Sequence, residues 1–297
     1  MTQMVETMPQ RKVTDESVYT ELCSKGFCLL PGYLSPEQTE TLVAAAHRVH
    51  PSWSDLPPEQ LPPPGSLPEP NAIPTRNASF PFEEPCLNQA IVDPDTIALA
   101  QRWLGTTQIC MRGSACSVRY PGFVESTGRH VDGFSLLPTV RASRDHNQLK
   151  FWYYLSDVEP GMAPTSFWPT QWGDDGPHVV GDKHTFTGPA GSLAIFSIFT
   201  NHSRSNFIQT SGERYVLTVR WGRRDHPWEG MSDYVMAGSN PVFREFISGL
   251  DPSTRELFHF PPVGHPYYSE HTLRDLEDRY SGWDASGEYR AAISTAP

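Results

Sequence analysis

Apolar positions along this chain follow two rhythms. After a loose leader over residues 1–14, Asp15–Leu22 reads as a short helix. Gly26-Phe27-Cys28-Leu29-Leu30-Pro31-Gly32-Tyr33-Leu34 reads as a buried strand running into a turn. Ser35-Pro36-Glu37-Gln38 has the make-up of a helix start: Ser as N-cap, Pro at the first position and a carboxylate in the first turn. That helix continues through Leu42, Val43, Ala46 and Val49, and another is expected near Asp93–Leu104. From about Met111 the apolar runs shorten. Ser114–Tyr120, Leu149–Val158, Ser192–Ile198 and Arg214–Trp221 read as strands separated by turn clusters, which suggests a sandwich or jelly roll. After Arg224 helical spacing returns in Pro241–Gly249, Pro252–Phe258 and Glu270–Tyr280, with Asp251 and Ser269 as N-caps.

The segment 51–75 interrupts this order. Prolines recur from Pro51 to Pro74, so neither regular helix nor sheet can form. Trp53, Leu56, Leu61 and Leu67 are spaced through it, as in an ordered loop packed on the surface or over a site mouth; a mobile surface loop is the alternative. The expected fold is mainly β with flanking helices, around a jelly-roll core. One domain over 1–297 is expected: a mainly helical part (1–113), the core (114–222) and a C-terminal helical extension (223–297). The extension is expected to cover the site or to build a homodimer interface.

Composition narrows the function. Hydrophobic residues at 38% give a globular chain, and 29 prolines with 22 glycines argue against a mainly helical one. A net charge of −11 disfavours a nucleic-acid face or a basic membrane-surface helix. Cys23, Cys28, Cys86, Cys110 and Cys116 fit no zinc spacing, so reduced thiols in a soluble cytoplasmic protein are expected. No apolar run approaches a membrane span. The G-x-S-x-G, G-x-G-x-x-G, P-loop, C-x-x-C and H-E-x-x-H patterns are absent.

What remains is His130-Val131-Asp132. Residues two apart on a strand point to one side, so an imidazole and a carboxylate can take adjacent positions on one metal. A second histidine would complete a facial triad that leaves three positions open. In a chain of this composition roughly one H-x-D/E arises by chance, so the pattern alone is weak. Its surroundings add weight. Gly188–Gly191 forms a turn, Ser192–Ile198 a strand, and His202 follows at its end. A polar loop then leads to Arg214, whose guanidinium suits a bidentate grip on a carboxylate. A dicarboxylate could chelate the metal at one end and sit on Arg214 at the other. A rival set, His178, Asp182 and His184, lies in a Gly-rich connection.

Five stretches in order resemble the phytanoyl-CoA dioxygenase-like branch of 2-oxoglutarate oxygenases. They are Gly26–Leu42, Tyr120-Pro121-Gly122 ahead of His130-Val131-Asp132, Leu149–Pro169, Pro189–Phe196 and His202–Trp221. The resemblance implies a double-stranded β-helix (cupin-like jelly roll). It implies Fe(II) on His130, Asp132 and His202, and 2-oxoglutarate on Arg214 with Trp152 and Tyr120 nearby. It also implies O2-dependent oxidation of a substrate C–H bond, with succinate and CO2 formed. Hydroxylation is the default outcome; desaturation, epoxidation or ring closure use the same centre. The sequence departs from the family pattern at Pro169-Thr170-Gln171-Trp172 and at Arg204, where the family often has Ser. Asp132 speaks against halogenation by resemblance. Phe134, Tyr154, Trp168, Trp172 and Arg204 are candidates to line a substrate pocket, although aromatic residues so placed are commonly core. Arg129, Arg141 and Arg144 either meet an anionic substrate or form a solvated face. A small organic metabolite is the expected substrate. The alternatives are an acyl-CoA, a non-catalytic ligand-binding relative, or a cupin-type metal enzyme without 2-oxoglutarate.

Overall fold

The computed structural model describes residues 11–132, 148–173, 176–223, 241–252, 255 and 260–294. Phe134, Arg141, Arg144 and most of the expected helix Pro252–Phe258 lie outside these residues. In chain order, α1 spans Glu16–Lys25, β1 Phe27–Leu30, α2 Pro36–Val49, β2 Arg76–Ser79, α3 Pro85–Ala90 and α4 Pro94–Leu104. Next come β3 Ile109–Arg119, β4 Gln148–Tyr154, β5 Thr165–Phe167, β6 Thr170–Gly173 and β7 Gly176–Val179. The last strands are β8 His184–Thr185, β9 Ser192–Ser197, β10 His202–Arg204 and β11 Arg214–Arg223. Helices at Pro241–Ser248, Glu270–Arg279 and Glu288–Ser294 follow.

Local chemistry sets several of these boundaries. Ser35 Oγ accepts from Gln38 N while the Gln38 side chain accepts from Ser35 N, a reciprocal cap on α2. Asp93 caps α4 through Asp95 N. Such caps contribute about 1 kcal/mol each. Ser269 likewise accepts from Thr272 N at the start of Glu270–Arg279.

An antiparallel six-stranded sheet carries the architecture, in the order β1-β9-β4-β11-β3-β2. Its two edge strands come from the N-terminal part of the chain, so strand structure is not confined to 114–222. Alternation along each strand divides the sheet into two faces. One face presents Leu149, Phe151, Tyr153, Leu193, Ile195, Tyr215, Leu217 and Val219 to the buried side chains of α1, α2 and α4. The other presents Phe27, Tyr154, Ala194, Phe196 and Val216, which meet Phe167 and Phe186 from the side of the small sheet β10-β5-β8. The chain is therefore sheet-rich, with two sheets facing one another and helices flanking the larger.

The proline-rich segment is ordered and packed. Leu56 and Ile73 are buried, and Asn71 N donates to Gly122 O at 2.9 Å. A Cβ at Gly122, where φ is +81°, would lie 2.6 Å from Pro68 Cγ, so this close approach requires glycine. The C-terminal helices pack through Ile247, Phe260, Leu273, Leu276, Tyr280 and Trp283 onto Ile198 and Phe199, just ahead of His202. Among the described residues no helix is long and apolar enough to cross a membrane, and the five cysteines are free.

Candidate metal centre

His130 and His202 are joined through their backbones, each N–H donating to the other's carbonyl at 2.9 Å. This isolated bridge brings the two imidazole centroids to 4.5 Å. Asp132, two residues beyond His130, places Oδ1 4.0 Å from His130 Nε2 and Oδ2 3.6 Å from His202 Nε2. One ligand atom from each of the three lies within 4.8 Å of the others, and among the described residues no other group of this kind forms. His178, Asp182 and His184 do not assemble; His184 instead lies against the Phe27 ring at 5.5 Å.

The backbone also orients both rings. His130 Nδ1 lies 2.8 Å from Gly128 O, and His202 Nδ1 lies 2.9 Å from Thr200 O. A carbonyl can only accept, so each Nδ1 carries the proton and each Nε2 lone pair faces the cluster. Burial pushes the His202 imidazole down to about 4, so it is neutral at pH 7 as a metal ligand must be. Burial opposes ionisation of Asp132, yet the charge and hydrogen bond of Lys150 hold its carboxyl well below the usual range. Two imidazoles presenting Nε2 and one carboxylate form a donor set suited to Fe(II) with open coordination positions.

Lys150 is the residue that sequence reasoning missed here. It lies on β4, its side chain only 13% exposed, with Nζ 2.5 Å from Asp132 Oδ2. Its ammonium also lies 5.3 Å from the Trp152 and Phe196 ring centroids. The available signal was a lone cation in the otherwise apolar run Leu149–Leu155.

Trp152 stands beside the triad, its ring edge-on to His202 at 6.1 Å, with a buried Nε1 that has no hydrogen-bond partner. Arg214 is fully buried, and Nη1 donates to Ala163 O at 2.8 Å and Thr165 Oγ1 at 3.2 Å, leaving Nε without a partner. The register locates it relative to the histidine. Thr165 pairs with Arg204 and Phe167 with His202. Arg214 Nη1 therefore grips the strand two residues from His202, about 7 Å along it. That matches the reach of a five-carbon diacid.

Tyr154 is buried and stacks on Phe186 at 4.4 Å. Its hydroxyl, beside Thr165, makes no well-directed hydrogen bond. Arg204 pairs with Glu125 at 2.6 Å, so its charge is balanced. Trp168 is half-buried, with Arg129 over its ring at 5.7 Å, next in sequence to His130. Tyr120 is not brought to this centre. Its hydroxyl donates to Pro51 O, and its ring belongs to the core on the opposite face of the large sheet. Parity is the reason: Arg119, its neighbour, takes the inward position opposite Arg214. Arg220 also faces inward, further along β11, with Nη2 on Arg112 O at 3.0 Å.

No protein-family model and no curated protein matches the chain. Solved structures do. The non-haem alpha-ketoglutarate-dependent epimerase SnoN from nogalamycin biosynthesis superposes with a TM-score of 0.56 at 16% identity, covering 80% of this chain and 91% of its own. The related carbocyclase SnoK gives 0.55 at 15% identity, covering 74% and 89%. HygX from Streptomyces hygroscopicus, with nickel, 2-oxoglutarate and hygromycin B bound, gives 0.52 at 14% identity, covering 71% and 88%. At these identities the likeness establishes a shared fold, that of non-haem alpha-ketoglutarate-dependent enzymes.

Proposed function

We propose that this chain is an Fe(II)- and 2-oxoglutarate-dependent dioxygenase of the phytanoyl-CoA dioxygenase-like branch. Its core in this reading is a double-stranded β-helix, and its substrate is a small organic metabolite. One observation carries the proposal: a His130–Asp132–His202 cluster with Nε2 atoms turned inward, and a buried Arg214 guanidinium bonded to Thr165, two residues along β5 from the partner of His202. The buried, unpartnered Arg214 Nε and Trp152 Nε1 are donors that a bound oxo-diacid would satisfy.

In this reading His130, Asp132 and His202 hold the metal, and Lys150 fixes the orientation of Asp132 through Oδ2. Arg214 orients 2-oxoglutarate by its far carboxylate, and Trp152 walls the near end. The bound metal and co-substrate together supply O2 activation, coupling oxidation of a substrate C–H bond to release of succinate and CO2. Phe167, Phe196 and Trp152 around His202 exclude water from that centre. Trp168 and Arg129, beside His130, form the rim at which a substrate would enter. Hydroxylation is the default outcome for a substrate held there. SnoN and HygX are solved with nogalamycin RO and hygromycin B respectively, which supports a small-molecule substrate. Free thiols are consistent with a cytoplasmic setting.

The test is succinate formation by protein purified without air and then given Fe(II), 2-oxoglutarate and air. Wild type is expected to form succinate and His202→Ala none. Under argon, Fe(II) with 2-oxoglutarate should give a visible charge-transfer band in wild type only. Absence of both signals in wild type would overturn the reading.

A further inference from the structure

Arg119 ends β3 directly opposite Arg214 at the start of β11. Both side chains point between the two sheets, and their relative exposures are 8% and 1%. Two like charges facing each other across adjacent strands repel, more so away from water. Burial, then Arg214 and Arg204, push the Arg119 guanidinium down to about 8. Burial also pushes Arg214 down to about 10.

Among the described residues no carboxylate forms an ion pair with either guanidinium, although Glu125 lies close enough to attract both and Arg119 lies 5.0 Å over the Phe123 ring. Glu125 is the carboxylate nearby, and it is taken by Arg204 at 2.6 Å. Arg119 Nε and Nη1 and Arg214 Nε are buried without hydrogen-bond partners. The Tyr154 hydroxyl, whose interactions reach both arginines, is buried too and, though beside Thr165, makes no well-directed hydrogen bond. Buried donors are nearly always satisfied, and four orphaned donors of one kind in one place describe the mould of an acceptor. The missing group must be anionic, because it has to balance two guanidinium ions, and oxygen-rich, because every orphan is a donor.

We infer that Arg119 is a second guanidinium of the co-substrate site. With Arg214 Nε and the Tyr154 hydroxyl it encloses the far carboxylate of 2-oxoglutarate. This rests on the reading above and goes beyond it, because a single arginine already suffices to orient a carboxylate. The doubled charge makes the site selective. A 2-oxo acid without the far carboxylate leaves two cations buried and unpaired, so the site discriminates against it by more than one lost hydrogen bond. Nη1 of Arg214 is committed to Ala163 O and Thr165 Oγ1. Arg119 therefore supplies donors that Arg214 has already used on the backbone.

The experiment measures binding, not turnover. Mn(II)-loaded protein is titrated under argon with 2-oxoglutarate and with 2-oxopentanoate, the same chain without the far carboxylate, using tryptophan fluorescence. In Arg119→Gln, 2-oxoglutarate affinity should fall about 30-fold. Affinity for 2-oxopentanoate and for Mn(II) should stay within about twofold, since neither reaches Arg119. Arg119→Lys, which keeps the charge without the fork, should fall between wild type and Gln. Ligand-free Arg119→Gln should also melt above wild type, because the like-charge pair is gone. If wild type binds 2-oxoglutarate and Arg119→Gln binds it equally well, or loses both oxo acids alike, the second guanidinium is refuted and the dioxygenase reading stands. If wild type binds no 2-oxoglutarate, both fall. If Gln does not fold, the Lys variant decides by the same ratio of the two acids.

Discussion

The two faces of the large sheet are built from alternate residues of the same strands, yet their buried hydroxyls are treated differently. On the helix-covered face the Tyr120 and Tyr215 hydroxyls and the His50 imidazole find partners, whereas Arg76 Nε and Trp221 Nε1 do not. Tyr120 donates to Pro51 O, the Tyr215 hydroxyl lies 2.9 Å from His50 O and 2.7 Å from Pro51 O, and His50 Nε2 lies 3.0 Å from Cys116 O. On the inner face Arg119, Tyr154, Trp152 and Arg214 each keep a buried donor unpartnered. The outer face is organised for stability. The inner face gathers the His130–Asp132–His202 cluster and buried donors without partners, and that combination is what the proposed site is built on.

The largest effect should come from Asp132→Ala. It removes a proposed ligand and leaves Lys150 buried without its carboxylate. Metal affinity, read by Mn(II) EPR, should drop about 100-fold or more, and the unfolding free energy from urea melts by on the order of 3 kcal/mol. Adding Lys150→Met should restore most of the stability and none of the metal binding. Leu217→Ala on the outer face should cost about 3 kcal/mol in the same melts, yet leave 2-oxoglutarate affinity unchanged.

A sharper pair exchanges one atom on each face. Tyr215→Phe should destabilise by about 1 kcal/mol and leave 2-oxoglutarate binding intact, because its hydroxyl satisfies backbone carbonyls. Tyr154→Phe should be neutral or stabilising in the ligand-free protein and weaken 2-oxoglutarate by about tenfold, because its hydroxyl awaits a partner. Equal behaviour of the two variants would erase the contrast between the faces.

The smallest effect concerns pH. Burial holds the His50 imidazole below its ordinary value of 6.5. As pH falls through 6.5 the unfolded chain takes up a proton that folded His50 resists, so its contribution destabilises the fold toward acid and vanishes above that pH. Urea melts between pH 7.5 and 5.5 should show a steeper loss in wild type than in His50→Gln.

Much of the site was legible from residue order. His130-Val131-Asp132 carries its own geometry through strand parity, and the turn–strand–His202–loop–Arg214 succession placed the remaining groups. Lys150 and Arg119 escaped because the meaning of a lone cation on a strand face depends on which strand lies opposite. Tyr120 was placed near the co-substrate by its adjacency to Pro121-Gly122, whereas pleat parity turns it to the helix side. β2 was not expected either: Arg76-Asn77-Ala78-Ser79 has no apolar alternation and becomes a strand only by pairing with β3.

Local signals written in the chain determined the caps at Ser35, Asp93 and Ser269, the strand periods of β3, β4, β9 and β11, and the candidacy of His130, Asp132 and His202 as metal ligands. Those depend on interactions spanning a few residues, which sequence records directly. The tertiary structure alone decided that His130 bridges His202, that Lys150 meets Asp132, and that Arg119 faces Arg214. Each of these is a pairing across strands far apart in sequence. Register, which shifts every side chain to the other face when it slips by one residue, is set only when the whole sheet assembles.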